Sequence, residues 1–403
     1  MTTKPSYTPA LRFPDFINDG EWEVKRLGEI ITVNSGRDYK HLQSGDIPVY
    51  GTGGYMLSVN DKLSDIDAIG IGRKGTIDKP QYLKAPFWTV DTLFFLTTKE
   101  GYDLNFVFCL LQTVEWKKYS EQTGVPSLTR STIEKIEVKI PPFPEQRRIA
   151  QALTALDELI AATNEKLEQM KAYKKGLMQQ LFVNATGGGK RLIINCLQIQ
   201  KLRFPAFYEE KEWEEKKLGE VGYTYTGLSG KDKNDFGHGD AEYITYLNVF
   251  SNPIIKQEMN LPIEIDNKQH SVQYGDVFFT TSSETPDEVG MSSVWLENKD
   301  NVYLNSFCFG YRLTEEFDYR YLSYYFRSDS FRKRMVVLAQ GISRYNISKI
   351  KAMELPIQYP TIPEQRKIAS CLSSMDETIS GYTEKAGLLG QFKKGLMQQM
   401  FVN

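Results

Sequence analysis

KKGLMQQLFVN at residues 174–184 returns almost letter for letter as KKGLMQQMFVN at residues 393–403. Extended toward the N terminus, the pair begins at Pro144-Glu145-Gln146-Arg147 and at Pro363-Glu364-Gln365-Arg366, so the offset is 219 at both ends and no residue has been gained or lost. Across 144–184 and 363–403, 22 of 41 positions are identical, more than shared composition produces, so the chain is read as a repeat before any element is assigned. A second pair lies upstream: Leu11-Arg12-Phe13-Pro14, Trp22 and Leu27-Gly28-Glu29 match Leu202-Arg203-Phe204-Pro205, Trp213 and Leu218-Gly219-Glu220 at an offset of 191. The difference of 28 (219 − 191) falls between the matching blocks, where the halves look unrelated. The chain carries one plan twice, a variable region followed by a nearly invariant tail.

The tails have helical periodicity. From Ile149 the seam runs through Leu153, Leu156, Ile160, Thr163, Leu167, Met170, Lys174, Leu177 and Leu181, with spacings alternating four and three. The second copy repeats it as Ile368, Leu372, Met375, Ile379, Tyr382, Ala386, Leu389, Lys393, Leu396 and Met400. That is a heptad pattern, and so narrow an apolar stripe calls for a partner helix, the obvious one being the other copy. Pro then Glu at each start suits a first helical turn, where a missing N–H is harmless and negative charge meets the dipole. About 38 residues at 1.5 Å each make a rod of roughly 57 Å. Lys174 and Lys393 hold the same seam position, where a lone polar residue can set register.

The variable segments, roughly 25–140 and 216–358, alternate short β-rich runs with glycine-bearing turns, as at 89–96 and 276–280. Each carries one expected helix, Leu104 to Tyr119 and Tyr319 to Leu338. The fold class is α+β: two pseudo-repeated mixed α/β domains and two long helices. The expected divisions are 1–140, 141–184, a linker 185–201, 202–358 and 359–403.

Composition narrows the function classes. Four scattered cysteines form no CxxC or zinc spacing, and nothing resembles a signal peptide or a spanning segment, so a soluble cytoplasmic protein is expected. Residues 1–191 hold 25 Lys+Arg and 23 Asp+Glu of the chain's 49 and 51, which leaves the halves at +2 and −4. Nucleic-acid binding would therefore depend on local clustering.

With L-R-F-P…W…L-G-E before each variable region and P-E-Q-R-x-I-A…K-K-G-L-M-Q-Q after it, the chain resembles the DNA-specificity (S) subunit of type I restriction-modification enzymes over essentially its whole length. The resemblance implies target-recognition domains that each read half of a split site in double-stranded DNA. It implies tails paired as an antiparallel coiled coil that sets the spacer and docks two methyltransferase subunits, with restriction subunits joining that complex. Neither cofactor nor metal is expected on this chain; S-adenosylmethionine, ATP and Mg would sit on partner subunits. The joint, a glycine run and then an apolar stretch, departs from the usual member.

Base edges are read by Arg, Lys, Asn and Gln, with Ser and Thr assisting. On glycine-punctuated loops the first region offers Arg37, Tyr39, Lys40, Arg73, Lys74 and Thr76, and the second Lys231, Lys233, Thr280, Thr281, Ser282 and Ser283. Shortly before each tail, GVPSLT adds Ser127 and Thr129, and GISRYN adds Ser343, Arg344 and Asn346. The second expected helix interleaves Arg320, Arg327, Arg332, Lys333 and Arg334 with aromatics, one way to present charge to phosphates.

Catalysis by the chain itself is not expected. Pro14-Asp15…Glu23-Val24-Lys25 spells a nuclease-like metal pattern, but the repeat puts Ala206 after Pro205, so the plan does not need the aspartate. No Walker or adenine-methylase motif occurs, and His41, His238 and His270 stand in no metal or triad spacing. The alternative from another class is a cytoplasmic coiled-coil scaffold bearing two protein- or peptide-binding domains.

Overall fold

A computed structural model describes residues 7–121, 124–182 and 202–402, together with two short strands, Leu192–Ile194 and Leu197–Ile199. Those strands pair as a hairpin, so part of the apolar stretch in the joint is β structure; the rest of the 185–201 linker lies outside the described residues.

Each tail is one unbroken helix, Phe143–Leu181 and Ile362–Met400, beginning one residue before the Pro-Glu start signal. The chain forms two compact units, 1–166 with 382–403, and 167–381. It passes from one to the other after Lys166 and after Gly381, and both passages lie inside a long helix. The tails are thus shared between the units, whereas the sequence divisions set them apart.

In the first unit, antiparallel neighbours form a four-stranded sheet in the order Ile31–Ser35, Leu93–Thr98, Ala68–Gly72, Gln81–Leu83. Gly54–Val59, Ser44–Gly51 and Trp88–Thr89 form a second sheet. The second unit builds the same order from Gly222–Thr226, Cys308–Leu313, Val277–Thr280 and Ser292–Val294, beside Leu261–Ile263, Phe236–Ile244 and Val302–Leu304. Regions that look unrelated in sequence therefore share one topology. A strand buried on both faces, as Ala68–Gly72 and Val277–Thr280 are, needs only apolar or small residues in any order, so the fold survives without letter identity. Gly36 and Gly227 mark the same place in each: a Cβ there would lie 2.0 Å from the carbonyl oxygens of Val90 and Asn305.

Several elements are shorter than their sequence patterns suggest. The run 89–96 divides at a turn, its first residue pairing in one sheet and Leu93–Thr98 in the other. Leu104–Thr113 ends before a separate 3-10 turn at Trp116–Tyr119. The second expected helix is two, Tyr319–Tyr325 and Asp329–Val337, because Ser328 caps the latter by accepting from the Phe331 N–H. Asp103 and Asp318 cap Leu104–Thr113 and Tyr319–Tyr325 in the same way, a third repeated feature that too few letters support for detection by sequence.

The repeated motifs grip one another. Arg12 of the first LRFP donates to both carboxylate oxygens of Glu145 at 2.8 and 2.7 Å, and Arg203 does the same to Glu364. Arg12 also donates to the Asp19 and Gly20 carbonyls, as Arg203 does to those of Glu210 and Lys211. The hydrogen bond to Glu145 raises the pKa of Arg12. Gln146 and Gln365 complete the joint: each donates to the carbonyl of Pro141 or Pro360 and accepts the N–H of the capping Asp103 or Asp318. P-E-Q is therefore the letter code of a socket, made twice.

The tail ends are plugs. Phe401 meets Trp22 and Phe106 in the core of the first unit, and Phe182 meets Tyr321 and Tyr325 in that of the second. The Leu11 N–H donates to the Gln399 carbonyl at 2.9 Å, and the Leu202 N–H to that of Gln180 at 3.1 Å. Within each unit the helical segments run antiparallel: Lys393 bonds Asp157 at 2.6 Å in the first, and Lys174 bonds Asp376 at 2.5 Å in the second. Every seam position of both helices is buried or half-buried. The two seam lysines meet equivalent aspartates, and a heptad slip would part both pairs while leaving half-buried charges behind.

Candidate nucleic-acid interface

Loops that are remote in sequence come together at one place in each unit. In the first, Arg73–Thr76 follows the central strand Ala68–Gly72 and lies against 126–128. The Leu128 N–H donates to the Arg73 carbonyl at 3.0 Å, the Gly75 N–H to that of Pro126 at 2.9 Å, and Lys74 bridges with Ser127. Gly75 takes φ +86°, and at Gly72 a Cβ would lie 2.1 Å from the Thr76 oxygen, which explains the second and third glycines of GIGRKGT. Arg73 and Lys74 are exposed, the Arg73 guanidinium lying 5.9 Å from the Phe94 ring centroid. Thr76 is half-buried.

Arg37, Tyr39 and Lys40 flank this loop. Their turn is pinned where the Trp88 indole N–H donates to the Arg37 carbonyl at 2.9 Å. Arg37 and Lys40 are exposed. Tyr39 and Lys40 line an open cleft of about 710 Å³ with Tyr55, Met56, Asp91 and Thr92. The Thr92 carbonyl accepts the Arg73 N–H at 2.8 Å, which joins cleft and loop into one surface. Tyr55 and Met56, both exposed, are members that sequence reading missed; an apolar pair next to a glycine turn was the available signal.

The second unit makes the equivalent junction between 281–291, after the central strand Val277–Thr280, and 340–346. Ser282 pairs with Asn346, Ser283 with Tyr345, and the Ile347 N–H donates to the Thr281 carbonyl. Here several expected DNA contacts are corrected. Thr280 is fully buried, its hydroxyl accepting the Met291 N–H; Ser282 and Ser283 are buried, and Ser283 donates to the Thr285 carbonyl. Half-buried Thr281 donates to the Phe307 carbonyl at 2.7 Å. The Thr280, Thr281 and Ser283 hydroxyls thus bond within the protein, and Ser282 is buried. Ser343, Arg344 and Asn346 are exposed, beside Phe307, an exposed ring absent from the sequence-based candidates.

Other candidates also have internal work. Lys231 pairs with Asp266 at 2.9 Å and Asp235 at 3.7 Å; the Asp266 contact raises its pKa and brings that of Asp266 down to about 2. Lys233 stays exposed. Ser127 is buried, and Thr129 caps Arg130–Lys135 while donating to Glu121. Three cations of the expected basic helix turn inward, Arg327, Arg332 and Arg334 all donating to backbone carbonyls, whereas Arg320 and Lys333 are exposed. Of the cations read as candidates, Arg37, Lys40, Arg73 and Lys74 in the first unit and Lys233, Arg320, Lys333 and Arg344 in the second are exposed.

A model of the type I restriction modification DNA specificity domain matches residues 19–172 and 210–388. The chain belongs to that family. Two relatives of this specificity-domain chain come from Methanocaldococcus jannaschii. The type I restriction enzyme MjaVIII specificity subunit is 23% identical over 308 residues, 70% of this chain and 65% of its own length. The putative type I restriction enzyme MjaX specificity subunit is 21% identical over 286 residues, 67% of this chain and 60% of its own length. The chain thus matches less than two thirds of either relative. The S subunit of a type I restriction-modification system from M. genitalium shares the fold at TM-score 0.59 and 14% identity, covering 98% of this chain and 99% of that one. A chain from a structure concerned with complex assembly and conformational transition of a type I R-M system gives 0.56 at 14% identity, with 94% and 97% covered.

Proposed function

We propose that this chain is the sequence-specific DNA-binding subunit of a type I restriction-modification complex, each unit reading one half of a bipartite site. The observation that carries the reading is the loop junction made twice, at 73–76 with 126–128 and at 281–291 with 340–346, by units whose sockets are alike but whose exposed loop residues differ. Common sockets with divergent loops are what two different half-sites require. The paired helices set the spacer and dock two methyltransferase subunits; restriction subunits join that assembly in the cytoplasm. Chemistry, with S-adenosylmethionine, ATP and Mg, belongs to those partners, and this chain supplies recognition alone.

Binding of this kind is salt-steep because phosphate contacts release counterions. Methylation-footprint sequencing of cells carrying the complete system tests the proposal. One bipartite motif methylated in both halves is expected; random methylation, or binding to duplex that shows no sequence preference and no salt dependence, overturns it.

A further inference from the structure

Two arginines of the second unit point into the protein and end on backbone. Arg332 donates from Nη1 to the Gly290 carbonyl at 2.6 Å and from Nη2 to those of Val289 at 2.6 Å and Asp287 at 2.9 Å. Arg327 donates from Nε to the Ser292 carbonyl at 2.7 Å, and from Nη2 to those of Val249, Phe250 and Asn252, each at 2.9 Å. Burial lowers both guanidinium pKa values to about 10, so each remains charged at neutral pH. A guanidinium presents several donors in a fixed planar fork, which suits it to hold a set of convergent carbonyls.

The carbonyls held by Arg332 belong to the loop 281–291, whereas Arg327 ties Ser292, at the start of the strand that follows, to the helix Tyr246–Ser251 and its cap Asn252. Gly290, at φ +63°, sits directly on the helix Asp329–Val337: a Cβ there would lie 2.5 Å from Met335 Cγ. The loop's other end pairs with Asn346, next to exposed Arg344. The corresponding loop of the first unit, 73–76, is shorter and is held by its own glycines and by backbone bonds to 126–128, and among the described residues no guanidinium meets its carbonyls. A longer loop has more conformational entropy to suppress, so it needs a brace that the short one does not.

We propose that Arg332 is a positioning residue for half-site reading by the second unit, fixing the 281–291 loop from behind without touching DNA, while Arg327 anchors the strand that follows the loop. The inference rests on the DNA-reading function proposed above. A base contact held loosely discriminates poorly, because displacement of a donor by a fraction of an ångström weakens the bond to the correct base and relieves the clash with the wrong one.

The test uses the full chain in complex with the methyltransferase subunits of its own system and duplexes selected by the wild type from a random-sequence library. For Arg332→Met, discrimination against single mismatches in the second unit's half-site should fall about tenfold. Discrimination in the other half-site and the salt slope should be unchanged. Arg332→Lys, which keeps the charge but loses the fork, should give a smaller loss, and its amides at 287–291 should exchange hydrogen faster than the wild type's. A salt slope reduced by about one with discrimination intact would place Arg332 on a phosphate and overturn the proposal. So would equal loosening of both half-sites, or unchanged exchange at 287–291. If the Met variant does not fold, the Lys variant decides by the same measurements. A wild-type complex that selects no sequence overturns the DNA-reading function itself, and the exchange measurement then judges the brace separately.

Discussion

Replacing Arg12 with Met tests how the first unit holds its long helix. Both partners of the Arg12–Glu145 pair are buried, with side chains 4% and 1% exposed. The substitution removes two charge-assisted bonds to Glu145 and those to the Asp19 and Gly20 carbonyls, and leaves the Glu145 carboxylate in the core without its cation. Breaking a buried pair from one side costs about 3–5 kcal/mol, whereas an exposed pair is worth about 0–1 kcal/mol. Since about 1.4 kcal/mol is a factor of ten, hydrogen exchange of core amides in the first unit should quicken by about 10²–10⁴. The Tyr319–Tyr325 helix, in the second unit, should keep wild-type protection. The double substitution Arg12→Met/Glu145→Met should recover part of the loss, because an apolar pair leaves no buried charge while the Asp19 and Gly20 carbonyls still lack their donor. Exchange mass spectrometry with urea denaturation measures both effects. A loss below about 1 kcal/mol, or a double variant no better than the single, would refute the account of Arg12–Glu145 as a buried, mutually dependent clamp.

Arg73→Ala and Arg344→Ala should each relax reading of a different half-site by about 1–3 kcal/mol if each makes a bidentate base contact; equal weakening on all duplexes would reassign them to phosphate. Glu158→Lys and Glu377→Lys, exposed and off the seam, should weaken methyltransferase docking while both units stay folded; unchanged assembly in size-exclusion chromatography would exclude that surface. Insertion of four helical residues at 166/167 and again at 381/382 should lengthen each rod by about 6 Å, and so move the preferred spacer by one or two base pairs at about 3.4 Å each. Selection from a random-spacer library reads this out, and a spacer that ignored the insertion would sink the ruler. Burial pushes the Cys109 and Cys308 thiols up to about 12, so native protein treated with iodoacetamide at pH 8 should carry no label at either, as peptide mass mapping would show.

The sequence by itself determined whatever depends on local period or on literal repetition. Ile149, Leu153 and their successors announce a helix and its buried stripe because helical spacing is a property of consecutive residues, and the offsets of 219 and 191 reveal duplication without any coordinates. What joins to what was decided by the tertiary structure. Arg12 lies 133 residues from Glu145, and nothing local says that the two repeated motifs complete each other. The common sheet order of the variable regions was likewise hidden, because burial constrains polarity and volume more than identity. The same limit explains the misread candidates. A serine, threonine or arginine in a polar loop declares only that it needs a hydrogen-bond partner. Whether Thr280 meets a base or the Met291 amide, and whether Arg332 meets a phosphate or the Gly290 carbonyl, depends on chain segments brought from 11 and 42 positions away, and only folding brings them there.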